Sequence, residues 1–252
     1  MADKPIIEVK DLAAGYGDTL ILQDINFEVR MSEIFAILGG SGSGKTTLLK
    51  CLIGLQPPWR GSILIDGTDI VTATGQERIE VLKKIGVAYQ SGALFGSMTL
   101  LSNVALPLEE FTDLPRHAIE RIAQMKLKAV GLQDAAYQMP AELSGGMRKR
   151  AAIARALAMD PKILFLDEPS AGLDPITSAQ LDELILELSH DLGVTFVIVT
   201  HELPSIFAVA DRVIMVDREA QTIVAAGKPQ ELRDTSENPV VRRFFNRQLS
   251  EV

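Results

Sequence analysis

The chain has 252 residues, 47% of them hydrophobic and 23% charged, with a formal net charge of −8 and one cysteine. That length and apolar share can bury a substantial core, as one large domain or two small ones. The acidic balance argues against a binder of phosphate backbones, so no nucleic-acid partner is expected, and the lone Cys51 can form no internal disulfide, which fits a reducing compartment. Residues 1–5 show no cationic start before a long apolar core, so no signal peptide is read there. The longest apolar runs, such as Ile163-Leu164-Phe165-Leu166, are too short to span a membrane, and any membrane role is expected to come through partners.

Alternating Ile25, Phe27 and Val29, with Ile63-Leu64-Ile65 before Asp66-Gly67, predict an antiparallel β layer near the N-terminus. Apolar runs at 34–38, 87–89, 163–166, 196–199 and 213–216 alternate with helical patterns, as in a parallel sheet wrapped by helices. Between 92 and 159 the periodicity predicts helices at about 115–130 and 145–159 and no convincing strand. The expected organisation is an α/β core of 1–91 and 160–234 carrying an inserted helical subdomain at about 92–159. Past a polar break at 234–238 comes a tail, 235–252, in which Asn238 caps a helix opened by Pro239. Val240/Phe244 and Val241/Phe245 form i,i+4 apolar pairs on that helix, with Arg242, Arg243 and Arg247 interleaved. The tail is expected to dock on a partner through Phe244 and Phe245, the alternative being a helix folded back onto its own core.

Gly39-Gly40-Ser41-Gly42-Ser43-Gly44-Lys45-Thr46 follows a predicted strand and, with Thr47, opens a predicted helix at 46–53. In that context the glycines let backbone N–H groups face the phosphates of a nucleotide, Lys45 meets the β- and γ-phosphates, and the Thr46 hydroxyl ligates Mg²⁺. Asp167 and Glu168 end an apolar strand, where Asp167 can hold Mg²⁺ through water and Glu168 can polarise the attacking water. Two acidic residues there often make only a solvated turn, but beside a phosphate cradle they face charge that must be neutralised. Gln90 and His201 end two more predicted strands, so four polar groups converge on one sheet edge. Ser144-Gly145-Gly146, between Leu143 and Met147, opens a further helix whose free N–H groups and positive dipole end suit a second anion.

Two phosphate surfaces, an acidic pair at a strand end and a later histidine, in this order, resemble the ATP-binding-cassette (ABC) ATPases. That resemblance implies a P-loop NTPase (RecA-like) core with an antiparallel β layer and an inserted helical subdomain. It also implies a head-to-tail dimer with a second copy, in which Ser144, Gly145 and Gly146 contact the ATP held by the partner's P-loop. In the family pattern Tyr16, between Gly15 and Gly17, stacks on adenine, although a lone tyrosine in such a turn is more commonly a surface residue. Gln90 senses Mg²⁺ and the attacking water, His201 hydrogen-bonds the γ-phosphate, and Asp174 lies in the loop that crosses the dimer interface. Within the family, Gln90-Ser91-Gly92-Ala93-Leu94-Phe95, the segment 103–108, Met125-Lys126-Leu127 and the run 139–147 are similar to the ATPases of the Mla phospholipid-transport systems that work with MCE proteins. Met147 departs from the Gln of the general signature and agrees with that subgroup.

The subgroup resemblance implies integral-membrane permease subunits (MlaE-like), touched by part of 90–108, an MCE-domain protein (MlaD-like) and a small cytoplasmic regulatory subunit (MlaB-like). It places the chain at the cytoplasmic face of an inner membrane, hydrolysing ATP to move phospholipids between inner and outer membrane. A polar amino-acid importer ATPase shares most of these motifs and is the alternative. A soluble ABC ATPase would bring paired cassettes or long insertions, and a P-loop kinase has no need of Ser144-Gly145-Gly146 or Asp174.

Overall fold

The computed structural model describes residues 4–246; Arg247 of the predicted tail face lies outside them. Strands β1 (Ile7–Tyr16), β2 (Thr19–Val29), β4 (Arg60–Ile65) and the short β5 (Thr68–Asp69) pair antiparallel in the order β2-β1-β4-β5. Ile25, Val29, Ile63 and Ile65 turn inward, as the period-two alternation requires, and Phe27 stacks on Phe35 at 5.5 Å.

The larger sheet runs β10 (Ile223–Gly227), β9 (Arg212–Val216), β3 (Ile34–Leu38), β8 (Thr195–Val199), β7 (Ile163–Asp167) and β6 (Ile85–Ala88), parallel from β9 to β6 with β10 antiparallel at the edge. Every residue of β3 and β8 is buried, which is why these strands read as unbroken apolar runs: both faces of the sheet are covered. Phe35, Ile37, Phe165 and Val197 face one core, shared with the antiparallel sheet and α1 (Lys45–Leu52). Leu164, Leu166, Phe196 and Ile198 face the other, built with the helices that follow.

Between β6 and β7 the described chain holds α3 (Leu100–Phe111), α4 (Arg116–Ala129), α5 (Gly145–Ala156) and two short 3-10 turns, with α2 (Gly75–Leu82) preceding β6. The periodicity that predicts α4 and α5 overlooks α3, because Pro107 lies inside that helix. Two features outweigh the lost ladder bond. Thr99 caps the helix by accepting from Ser102 N–H at 3.2 Å, and Leu100, Val104, Ala105 and Leu108 bury one apolar face. The predicted strand 87–89 starts two residues earlier, as β6, so Tyr89 already belongs to the connection to Gln90. Predicted helix 145–159 ends at Ala156. The 18-residue α6 (Pro175–Leu192) is defined by its ends: Asp174 accepts from the N–H groups of Ile176 and Thr177, both at 3.0 Å, and Gly193 closes it at φ 63°.

After α7 (Leu203–Val209) and α8 (Pro229–Thr235), the tail helix forms as predicted: α9 (Pro239–Phe245), capped by Asn238, which accepts from Val240 N–H at 2.9 Å. The expected docking through Phe244 and Phe245 is corrected by its packing. Val241 and Phe245 are 0% and 5% exposed in a core with Leu203, Ile206 and Met215, and the Phe245 ring lies 5.8 Å from that of Phe207. The apolar face finds cover on α7 and β9 of its own chain, the nearest surface able to bury it. No helix among the described residues is long and apolar enough to cross a membrane.

Candidate functional site

The loop from Gly39 to Gly44 leaves the C-terminal end of β3 and runs directly into α1. Two of its glycines are obligatory. A Cβ on Gly39, at φ 155°, would collide with Ser43 Oγ and the Val216 carbonyl; one on Gly44, at φ 98°, would sit 2.8 Å from Leu22 Cδ2. Gly40, Ser41 and Gly42 are solvent-exposed, so the open side of the loop presents backbone. Lys45 folds back over it, its Nζ donating to the carbonyls of Gly39 at 2.7 Å and Gly40 at 3.0 Å. Burial pulls the Lys45 ammonium below its ordinary value, and the negative charge of Glu168 and Asp167 opposes that shift, so lysine and carboxylates occupy one electrostatic site. Ser43 Oγ is buried without a hydrogen-bond partner. Thr46 is exposed and Thr47 buried, with its hydroxyl 3.5 Å from that of Tyr16; Lys50 Nζ lies 5.6 Å from the Tyr16 ring centre.

Because β3, β8, β7 and β6 are neighbours in that order, the loop 39–44, His201, the Asp167-Glu168 pair and Gln90 line up along one carboxyl edge of the sheet. Glu168 extends the ladder by donating its N–H to the Val199 carbonyl at 2.8 Å, which brings its side chain beside His201. Glu168 Oε1 and His201 Nδ1 are 2.7 Å apart; Glu168 Oε2 is buried without a partner. The backbone of Glu168 is left-handed, at φ 45°, an uncommon state for a residue with a Cβ. Burial, and then the like charge of Glu168, push the Asp167 carboxyl above the usual carboxylate range against the pull of Lys149, Lys45 and Lys50.

Ser144 caps α5, its Oγ accepting from Met147 N–H at 3.2 Å, and leaves the first-turn N–H groups at the helix mouth. Gly146 is forced by close packing: a Cβ there would strike Thr177 of α6, while Gly145 has Leu173 beside it. Asp174 spends its carboxylate on the α6 cap, which holds it below the usual range through the Thr177 hydroxyl and N–H. The signature turn and the loop 170–174 therefore abut within one chain. A contact with no sequence signal joins this region to the sheet edge: Lys149 Nζ donates to the Glu168 carbonyl at 2.9 Å.

A glycine loop between strand and helix, an acidic pair and a histidine on the next strands, and a capped Ser-Gly-Gly helix define a P-loop nucleotide hydrolase. The model of the ABC transporter family matches residues 22–171, and the chain belongs to that family. It is 45% identical over 240 residues to the "Probable ribonucleotide transport ATP-binding protein mkl" of Mycobacterium leprae, covering 95% of this chain and 68% of that protein. It is 43% identical over 237 residues to the "Intermembrane phospholipid transport system ATP-binding protein MlaF" of Haemophilus influenzae, covering 94% and 89%. Among solved structures, the dimeric post-hydrolysis state of the ATP-binding cassette MJ0796 bound to ADP and Pi matches at 30% identity and a TM-score of 0.79, over 88% of this chain and 98% of that one. The chain is an ABC-type ATPase, which binds ATP and hydrolyses it.

Proposed function

We propose that this chain is the ATP-hydrolysing subunit of a membrane ABC transporter that moves phospholipid between inner and outer membrane, with Glu168 as the general base. The observation that carries the chemistry is Glu168 itself. One carboxylate oxygen is held by His201, and the other is buried, unpartnered and next to Asp167. Such an oxygen is poised to accept a proton from water. Lys45 and the N–H groups of 39–46 would hold the β- and γ-phosphates, with Tyr16 against the base and Gln90 and His201 at the γ-phosphate end. Thr46 and Asp167 fit a Mg²⁺ ion, with Gln90 beside them: few protein oxygens leave positions for phosphate and water, and a carboxyl crowded by a second one favours a divalent cation. Bound there, the ion neutralises phosphate charge.

Ser144, Gly145 and Gly146 would act on the nucleotide of a second copy, with Asp174 at the seam, as the dimeric MJ0796 cassette suggests by analogy. Residues 1–234 would work as one ATPase unit in which 92–159 moves as a helical lever, with 235–252 as its tail. An apolar groove of about 230 Å³ between α2, β6, α3 and the end of α5, lined by Ile79, Leu82, Pro107 and Phe111, supports contact with permease subunits. An MCE-domain protein and a small regulatory subunit would complete the assembly at the cytoplasmic face of the inner membrane. The cargo reading rests on MlaF, of which the chain spans 89%, against 68% of the relative named for ribonucleotide transport.

Two measurements test this. Glu168→Gln should bind ATP normally and lose hydrolysis by at least about a hundredfold, trapped as a closed dimer; near-normal phosphate release would show that Glu168 is not the base. The complex isolated in mild detergent should carry phospholipid and an MCE-domain protein. Co-purification of a soluble amino-acid- or nucleotide-binding protein in their place would overturn the cargo.

A further inference from the structure

Glu168 and Ala93 are non-glycine residues held at φ 45° and 48°, one in the loop after β7 and the other in the loop after β6 that carries Gln90. Left-handed backbone carrying a Cβ is costly and persists only where its surroundings hold it. Both positions are held by cations of one helix, α5. Lys149 Nζ donates to the carbonyl of Glu168 at 2.9 Å, across 19 residues of sequence. Arg155 donates through Nη1 to the carbonyl of Ala93 at 2.7 Å and through Nη2 to that of Gly92 at 3.1 Å. The same device is thus used twice, at the two loops that carry Gln90 and Glu168, and the N-terminus of the same helix is the Ser144-Gly145-Gly146 surface.

We propose that Lys149 is a positioning residue for hydrolysis: by clamping the Glu168 peptide in its left-handed turn, it fixes the direction of the Glu168 carboxylate and ties that direction to the signature helix. The inference rests on Glu168 as the base. The Glu168 side chain leaves the backbone at the strained residue, so relaxation toward ordinary φ would swing Oε1 off His201 Nδ1, now 2.7 Å away, and move Oε2 with it. Lys149 makes this bond to Glu168 and none to the loop 39–44 or Thr46, and the positive charge it lends Asp167 is shared with Lys45 and Lys50, so its loss should fall on turnover and spare binding. Through α5, a shift of Ser144 on engaging phosphate reaches the base of its own chain, giving the two surfaces a direct mechanical link.

The test uses all 252 residues. Lys149→Met should lower kcat about ten- to a hundredfold, the scale of a misplacement near 1 Å, with KM for ATP within about twofold of the parent. Lys149→Arg, which also donates to a carbonyl, should recover most of the rate. In a Glu168→Gln background the same Lys149→Met change should remove less than about twofold, because the group it positions is gone. A kcat within twofold of the parent, a matching rise in KM, or an equal loss in both backgrounds overturns the proposal. Lys149→Gln gives the same comparison should the methionine variant fail to fold. A Glu168→Gln chain that keeps the parental rate overturns the base assignment, and this proposal with it, and is recognised without any Lys149 variant.

Discussion

At Asp66, two lysines from the turns just ahead of β6 and β7, Lys84 and Lys162, share one carboxylate oxygen, each at 2.8 Å. Their hydrogen bonds, that of Lys162 first, hold the Asp66 carboxyl below the usual range. A carboxyl lowered in the folded state stabilises it above the unfolded value near 3.9, and that contribution is lost as pH falls through the folded value. The site is partly exposed, so the effect is small: Asp66→Asn should cost about 0.5–1 kcal/mol at pH 7, and the melting temperatures of parent and variant should draw together as pH falls below the unfolded value and through the lower folded one. A gap that does not narrow at all as the pH falls below that unfolded value would point to packing instead. Cys51 is 1% exposed, and burial raises its thiol to about 11. At pH 8 almost no thiolate exists, so iodoacetamide should label this cysteine only after unfolding; prompt labelling of the native chain would contradict that burial.

Among the elements, α9 shows how a correct local prediction can carry a wrong partner. Its cap and apolar pairs are written in the eight residues from Asn238 to Phe245, but which surface accepts the apolar face is not. Phe245 sits against Phe207 and Val241 among residues of α7 and β9. Phe245→Ala should therefore destabilise the isolated chain by about 3–4 kcal/mol in a denaturant titration. A variant that unfolds with the parent would restore the docking role. Helix α3 makes the converse point. Pro107 argues against a helix locally, while buried Asn103, whose side-chain amide donates to the carbonyls of Phe95, Met98 and Thr99, and a buried apolar face decide for one.

On the scale of the molecule, the question is whether a site is built from one chain or two. If Ser144 acts on the partner's ATP, a mixed dimer with Lys45→Ala in one chain and Ser144→Arg in the other keeps one site with both surfaces intact. A dimer with both changes in one chain damages both sites. ATP binding should then be retained at one site in the first dimer and be impaired at both in the second; equal retention in the two would show that the sites are not composite.

The sequence by itself determined what depends on neighbouring residues. The glycine loop ahead of Lys45, the acidic pair at the end of the β7 run, the helix start at Ser144-Gly145-Gly146, the Asn238 cap and the apolar runs of β3 and β8 act over a few residues, where chain connectivity fixes the geometry. Most strands and the order of the site residues were legible for that reason. Only the tertiary structure decided the strand order that lines up Gln90, Glu168 and His201, the choice of α7 and β9 as cover for Phe245, and the grip of Lys149 and Arg155 on the two left-handed turns. Those bonds join a side chain to a carbonyl 19 or 62 residues away. A carbonyl is present at every residue, so no side-chain pattern marks which one will be used, and only the packing of α5 against the sheet selects it.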